Sequence, residues 1–184
     1  MFSPRSLDKG TGAMLEICNF SVGDNILDLG CGSGIVGITA AICGATVTMC
    51  DIDETALKYA LNNIDANLDE AEKARVKCLV SDGFENIDEK DFTVILSNPP
   101  YHTDFSVAKR FIEGAFMHLK LSGRLYMVTK RFEWYKNKII NVFGGVKVTE
   151  ADGYYVFMAE KRRDIPARVV KKKTKKEKQK DKQK

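Results

Sequence analysis

The stretch NILDLGCGSGIVG, residues 25–37, constrains the fold more than any other. An apolar run breaks at a cluster of glycines, and a helical pattern from Gly34 to Cys43 follows at once. Glycine accepts the backbone that a tight strand-to-helix turn demands, and it lets main chain approach a ligand closely. Gly30, Gly32 and Gly34 form G-x-G-x-G around Cys31, while Gly32, Gly34 and Gly37 form G-x-G-x-x-G. A nicotinamide dinucleotide site has the same outline. Asp28, two residues before the first glycine, lies outside that fingerprint. A carboxylate there suits a cationic ligand better than a pyrophosphate.

The rest of the chain repeats the strand–helix alternation. Leu7 to Phe20 keeps a helical period through Leu7, Gly10/Thr11, Met14, Leu15 and Cys18. Strands are expected at 25–30, 46–51, 76–82, 92–98 and 123–130. Asp53 can cap a helix from Glu54 to about Asn67, with Ala56, Leu57, Ala60, Leu61 and Ile64 on one face. Phe105, Ala108, Phe111, Ile112, Ala115, Phe116 and Leu119 form another apolar face, and Trp134 to Phe143 reads as a helix ended by Gly144-Gly145. Runs at 146–151 and 154–161, joined by Asp152-Gly153, read as a closing hairpin. The pattern argues for an α/β fold: one Rossmann-like doubly wound sheet of seven strands, mostly parallel with an antiparallel terminal strand. Such sheets bind ligands at the carboxyl ends of their strands.

Length and charge set further bounds. The 184 residues suit one domain with a sizeable core. No apolar run approaches the roughly 18 residues of a membrane span, and the first residues lack a secretory signal pattern. Cys18, Cys31, Cys43, Cys50 and Cys78 show no C-x-x-C spacing and read as reduced small hydrophobes of a cytoplasmic protein, with no metal site. Of the 29 Lys/Arg and 25 Asp/Glu, 13 and 3 fall in residues 161–184. A mildly acidic domain, residues 1–162, therefore carries a Lys-rich tail, 163–184, expected to be disordered. The tail is either a solubilising segment or an arm for a polyanion, most naturally RNA, since Lys–phosphate contacts release counterions whatever the sequence. No amphipathic membrane anchor accompanies it.

The strand ends carry the chemistry. Asp51 closes the second strand, where a carboxylate can accept both hydroxyls of an adenosine ribose. After the third strand, Asp82-Gly83-Phe84 offers an acceptor for an adenine amino group, with Ile52 or Phe84 to pack on the ring. The fourth strand delivers Asn98-Pro99-Pro100-Tyr101. Proline has no N–H and a fixed φ, so this exit leaves the ladder with few conformations. It aims the Asn98 amide and the Pro99 carbonyl, both acceptors, at one place, and Tyr101 supplies a face for a flat group. Two fixed acceptors suit a planar NH2: holding its hydrogens favours pyramidalisation and frees the lone pair for attack. His102 reads as a substrate contact or loop residue, because an amine can lose its proton after its nitrogen has attacked without a dedicated base. His118 reads as structural.

With "DLGCGSG", "DIDETAL", "SDGF" and "NPPYH" in order at strand ends, the chain resembles the class I S-adenosylmethionine-dependent methyltransferases that act on nitrogen. Through "FSPRSLDKGTGAML", "NPPYH" and "FGGVKV" it resembles, over about residues 2–160, the methyltransferase small domain family and its ribosomal RNA guanine-2-amino enzymes. The resemblance implies S-adenosyl-L-methionine at Asp28, Gly30, Cys31, Gly32, Gly34, Asp51, Ile52, Asp82, Gly83 and Asn98. It implies a target amine held by Asn98, Pro99, Pro100 and Tyr101, and candidate contacts from Asp8 and Thr11 at the cofactor's methionine end. Members often carry an N-terminal extension or a duplicated inactive domain; this chain opens almost at the family's "FS", so the tail is expected to take over part of substrate recognition. The implied activity is N-methylation of an RNA base, most naturally the guanine 2-amino group of ribosomal RNA, by a monomer acting on RNA or a ribosomal subunit. The same chemistry also serves a protein-glutamine methyltransferase or an adenine 6-amino methyltransferase. An NAD-dependent oxidoreductase fits the glycine loop but leaves NPPY unexplained, and a non-catalytic RNA-binding module would rest on the tail alone.

Overall fold

A computed structural model describes residues 8–99 and 105–167. The strands are β1 (Asn25–Leu29), β2 (Thr46–Asp51), β3 (Val76–Val80), β4 (Phe92–Ser97), β5 (Leu119–Thr129), β6 (Lys147–Ala151) and β7 (Tyr154–Glu160). The helices are α1 (Lys9–Ile17), α2 (Ile35–Ile42), α3 (Glu54–Asn67), α4 (Glu70–Lys73), α5 (Phe105–His118) and α6 (Glu133–Phe143). All seven strands form one sheet in the order β3-β2-β1-β4-β5-β7-β6. Pairings from β3 through β5 are parallel; β7 runs antiparallel to both β5 and β6. The expected doubly wound sheet with a reversed terminal strand is what the chain forms.

Both faces of the sheet are covered, which is why its central strands are apolar at successive positions rather than alternating. Ile26, Val47, Met49, Val94 and Leu96 pack with Met14 of α1, Ile38 of α2 and Ala60 of α3. Leu27, Cys50, Ile95 and Met127 pack on the other face with Phe111 and Phe116 of α5 and Ile139 and Phe143 of α6. Burial pushes the Cys18 and Cys50 thiols up to about 12, so both serve as apolar filler.

Several boundaries differ from the sequence reading. The first helix is shorter than the 7–20 pattern, because Asp8 caps it through the Thr11 N–H and Cys18 leaves it in extended conformation. β5 starts at Leu119 rather than Gly123, since Leu119 pairs with Phe92 and the Ser122 N–H donates to the Lys161 carbonyl. The four-residue α4 stands on a capping box between Asp69 and Glu72. Past β7 the chain is buried again at Lys161 and Ala167, with exposed residues between them. No helix among the described residues is long and apolar enough to cross a membrane.

Candidate active site

β1 and β4 lie side by side where the strand order reverses, the crevice at which open α/β sheets take ligands. The Ser97 hydroxyl donates to the Leu29 carbonyl at 2.8 Å and ties their carboxyl ends together. Two stretches that the sequence separates by some seventy positions thus emerge at one place: the glycine loop after Leu29 and the Asn98-Pro99 exit after Ser97.

The glycine loop is folded by its own main chain. The Gly30 and Cys31 N–H groups both donate to the Cys50 carbonyl at 2.9 Å. Gly34 has φ +81°, a backbone sign that favours glycine, and a Cβ there would have to displace the Met49 Cε methyl, 2.5 Å away. Gly32 also has positive φ, but a Cβ on it would meet nothing within 4 Å, which leaves the loop's outer side open. Asn63 of α3 donates to the Ser33 carbonyl at 2.9 Å and anchors the far side of the loop.

Three carboxylates surround the loop in different environments. Asp28 is buried, and its Oδ2 accepts the Gly37 N–H at 2.9 Å, bracing the first turn of α2 against β1. Burial pushes its carboxyl up to about 7; the Gly37 hydrogen bond opposes this and the nearby Asp51 charge adds to it. Asp51 is half-buried and accepts from the Gly32 N–H at 2.9 Å and the Asp53 N–H at 3.0 Å. A carboxylate has about four acceptor positions, so ribose hydroxyls can still be met there. Asp53 caps α3 through the Thr55 N–H at 2.8 Å, the role its spacing suggests. Asp82 accepts both arms of the Arg110 guanidinium at 3.0 Å.

The apolar candidates separate. Ile52 is 65% exposed and follows Asp51 directly in the chain, which leaves an apolar side chain open to solvent at the end of β2. Phe84 instead stacks on His118 at 4.4 Å between centroids and packs against Gly114 of α5. His118 Nδ1 lies 2.8 Å from the Gly114 carbonyl, a structural contact. Gly83 has φ +62°, and a Cβ on it would lie 3.2 Å from the Phe111 ring, which also lies under Gly30. One ring of α5 therefore supports two of the strand-end turns. Cys31 sits in the loop with its thiol pushed well above the ordinary range by burial and by the charges of Asp28 and Asp51.

At the β4 exit, Asn98 is half-buried and Pro99 buried. Asn98 Nδ2 donates to Asp8 Oδ2 at 2.7 Å and to Thr11 Oγ1 at 3.0 Å, which brings the start of α1 onto this exit. Pro100, Tyr101 and His102 lie outside the described residues. Arg110 was not among the sequence candidates; on an amphipathic helix it is one polar-face charge among several. Asp8 and Thr11 were candidates only for the cofactor, because nothing in "LDKGT" names Asn98 as a partner. Among the described residues, no group of three or more His, Cys, Asp or Glu is placed to hold a metal ion.

The residues present fit a nucleoside-bearing cofactor. They combine an open glycine loop, the Asp51 carboxylate with the exposed Ile52 beside it in the chain, and a strand-end carboxylate at Asp82. Comparison with known proteins agrees with that arrangement. The family model described as methyltransferase small domain matches residues 1–158. The chain is 34% identical over 154 residues to a ribosomal RNA small subunit methyltransferase C of Mannheimia succiniciproducens, covering 80% of this chain and 44% of that protein. It is 33% identical over 174 residues to a ribosomal RNA large subunit methyltransferase G of Alteromonas mediterranea, covering 88% and 42%. A solved 16S rRNA N2 methyltransferase of T. thermophilus, in complex with AdoMet and guanosine, superposes with a TM-score of 0.76 at 27% identity over 88% of this chain and 45% of that one. The chain thus spans less than half the length of these relatives.

Proposed function

The chain belongs to the methyltransferase small domain family, and from that premise we propose that it transfers the methyl group of S-adenosyl-L-methionine to the exocyclic 2-amino group of a guanine in ribosomal RNA. The observation that carries this reading is the placement of Asn98 and Pro99 beside the glycine loop, at the crevice between β1 and β4. The relatives named for ribosomal RNA methylation, and the solved neighbour holding AdoMet and guanosine, support the choice of substrate.

In this reading the loop from Gly30 through Cys31 and Gly32 to Gly34 approaches the cofactor with main chain. Asp51 takes the ribose hydroxyls and Ile52 covers one side of the adenine. Asp82 and Gly83 meet the adenine edge, and Asp28 holds the loop's shape through Gly37. The bound cofactor supplies a methyl group activated by a sulfonium. Asn98 Oδ1 and the Pro99 carbonyl accept the two hydrogens of the guanine amine and turn its lone pair toward that methyl. Pro100 stiffens the exit and Tyr101 stacks on the base. The protein's contribution is alignment and preorganised acceptors, and the spent proton leaves to water.

The basic segment 168–184, with ten Lys or Arg and two acids, extends RNA contact beyond the site in a sequence-independent way. The protein acts in the cytoplasm as a monomer, on RNA or on a ribosomal subunit. The test is labelled methyl transfer to separate pools of naked ribosomal RNA, small and large subunits, transfer RNA, DNA and release-factor protein, followed by nucleoside and amino-acid mass analysis. The expected product is N2-methylguanosine in a ribosomal pool. Label recovered as N6-methyladenosine or methylglutamine would overturn the substrate.

A further inference from the structure

We propose that Asp8 and Thr11 are positioning residues that fix which end of the Asn98 amide faces the target nitrogen, an inference that rests on the methyl-transfer reading above. An asparagine amide has a donor end and an acceptor end of nearly the same shape. If the donor end faced the target NH2, two sets of hydrogens would oppose each other and the lone pair would not be released. The polarity of Asn98 is therefore as important as its place.

The start of α1 sets that polarity. Asp8 Oδ2 accepts the Thr11 N–H at 3.1 Å, the Thr11 hydroxyl at 3.4 Å and Asn98 Nδ2 at 2.7 Å. A carboxylate only accepts, so the amide end that faces Asp8 is the nitrogen. The amide nitrogen of Asn98 has hydrogens to give and no lone pair to offer, so the Thr11 hydroxyl oxygen accepts from Asn98 Nδ2 at 3.0 Å. Asn98 Nδ2 thus meets two acceptors on the α1 side, and the amide plane carries Oδ1 away from α1. Donation to an anion also enriches the amide oxygen as an acceptor. The contact spans 90 positions of sequence and joins the first helix to the exit of the fourth strand.

Asp8 is also the N-cap of α1, so removing it outright would mix two effects. Asp8→Gly separates them: glycine is tolerated at an N-cap at little cost to the helix. It leaves nothing in the place of Asp8 Oδ2, the oxygen that accepts both the Thr11 N–H and Asn98 Nδ2, and so no longer dictates the orientation of Asn98. We expect kcat for methyl transfer to fall by about tenfold to a hundredfold in Asp8→Gly, with KM for S-adenosylmethionine in the wild-type range. Thr11→Val should lower kcat in the same way, and Thr11→Ser should recover most of that loss. A second readout does not depend on turnover. The Asn98 side-chain NH2 resonances, assigned by their disappearance in Asn98→Ala, should exchange slowly with solvent in the wild-type protein and faster in Asp8→Gly and Thr11→Val. Wild-type kcat together with unchanged amide exchange in both variants would overturn the proposal. Altered exchange in a protein that methylates no pool would uphold the positioning and overturn the methyl-transfer reading.

Discussion

Asp82 receives both arms of the Arg110 guanidinium at 3.0 Å, which joins the turn after β3 to the helix that follows the NPPY exit. Both side chains are more than a third exposed, so the pair adds little to folding, about 0–1 kcal/mol. Its consequence is geometric, since the fork fixes where the Asp82 carboxylate points. Arg110→Ala should leave the melting temperature nearly unchanged. It should weaken S-adenosylmethionine binding by roughly fivefold to tenfold, on the order of one charge-assisted hydrogen bond. Calorimetric titration of the variant checks this, and wild-type affinity would show that Arg110 does not act on the cofactor.

A second expectation concerns pH. Asp28 has its carboxyl raised from 3.8 to about 7, chiefly by burial. The folded state keeps its proton to higher pH than the unfolded chain does. The stability this gives is complete below about pH 4, declines as pH rises toward 7 and is level above that. The slope within the window is up to about 1.4 kcal/mol per pH unit. Asp28→Asn has no proton to lose, so its melting curve against pH should lack this decline. Parallel curves for the two proteins between pH 4 and 7 would show that Asp28 is not the group responsible.

How much of this was open to sequence reading depends on the range of the interaction. Asp53 as the cap of α3 and the glycines after β1 rest on local chemistry, and both are found where that chemistry puts them. The alternation of strands and helices argued for a mostly parallel sheet, while the spatial order β3-β2-β1-β4-β5-β7-β6 is not contained in it. The α4 turn had a local signal, the D-x-x-E spacing of Asp69 and Glu72, that the apolar pattern overshadowed. β5 began early because Leu119 pairs across the sheet with Phe92, a contact that outweighs the weak strand character of Lys120 to Gly123. The contacts that organise the site are of this second kind. Asn98 with Asp8, Asp82 with Arg110 and Ser97 with Leu29 are each set by topology, and a single sequence shows their members without their partners.

The basic segment gives a third expectation. Truncation after Ala167 keeps that buried residue and removes ten Lys or Arg. RNA affinity should drop, and the plot of log affinity against log salt should become shallower, because fewer counterions are released. An unchanged slope in filter-binding titrations would assign the segment to solubility alone.

The measurement that bears most directly on the central claim is single-turnover methyl transfer from labelled S-adenosylmethionine to guanine in ribosomal RNA, with wild-type protein and Asn98→Ala side by side. Cofactor affinity is measured on the same samples. If Asn98 prepares the amine, the variant should bind cofactor normally and transfer methyl about 10² to 10³ times more slowly, the scale of losing one preorganised hydrogen-bonding group. Equal transfer rates would contradict the account.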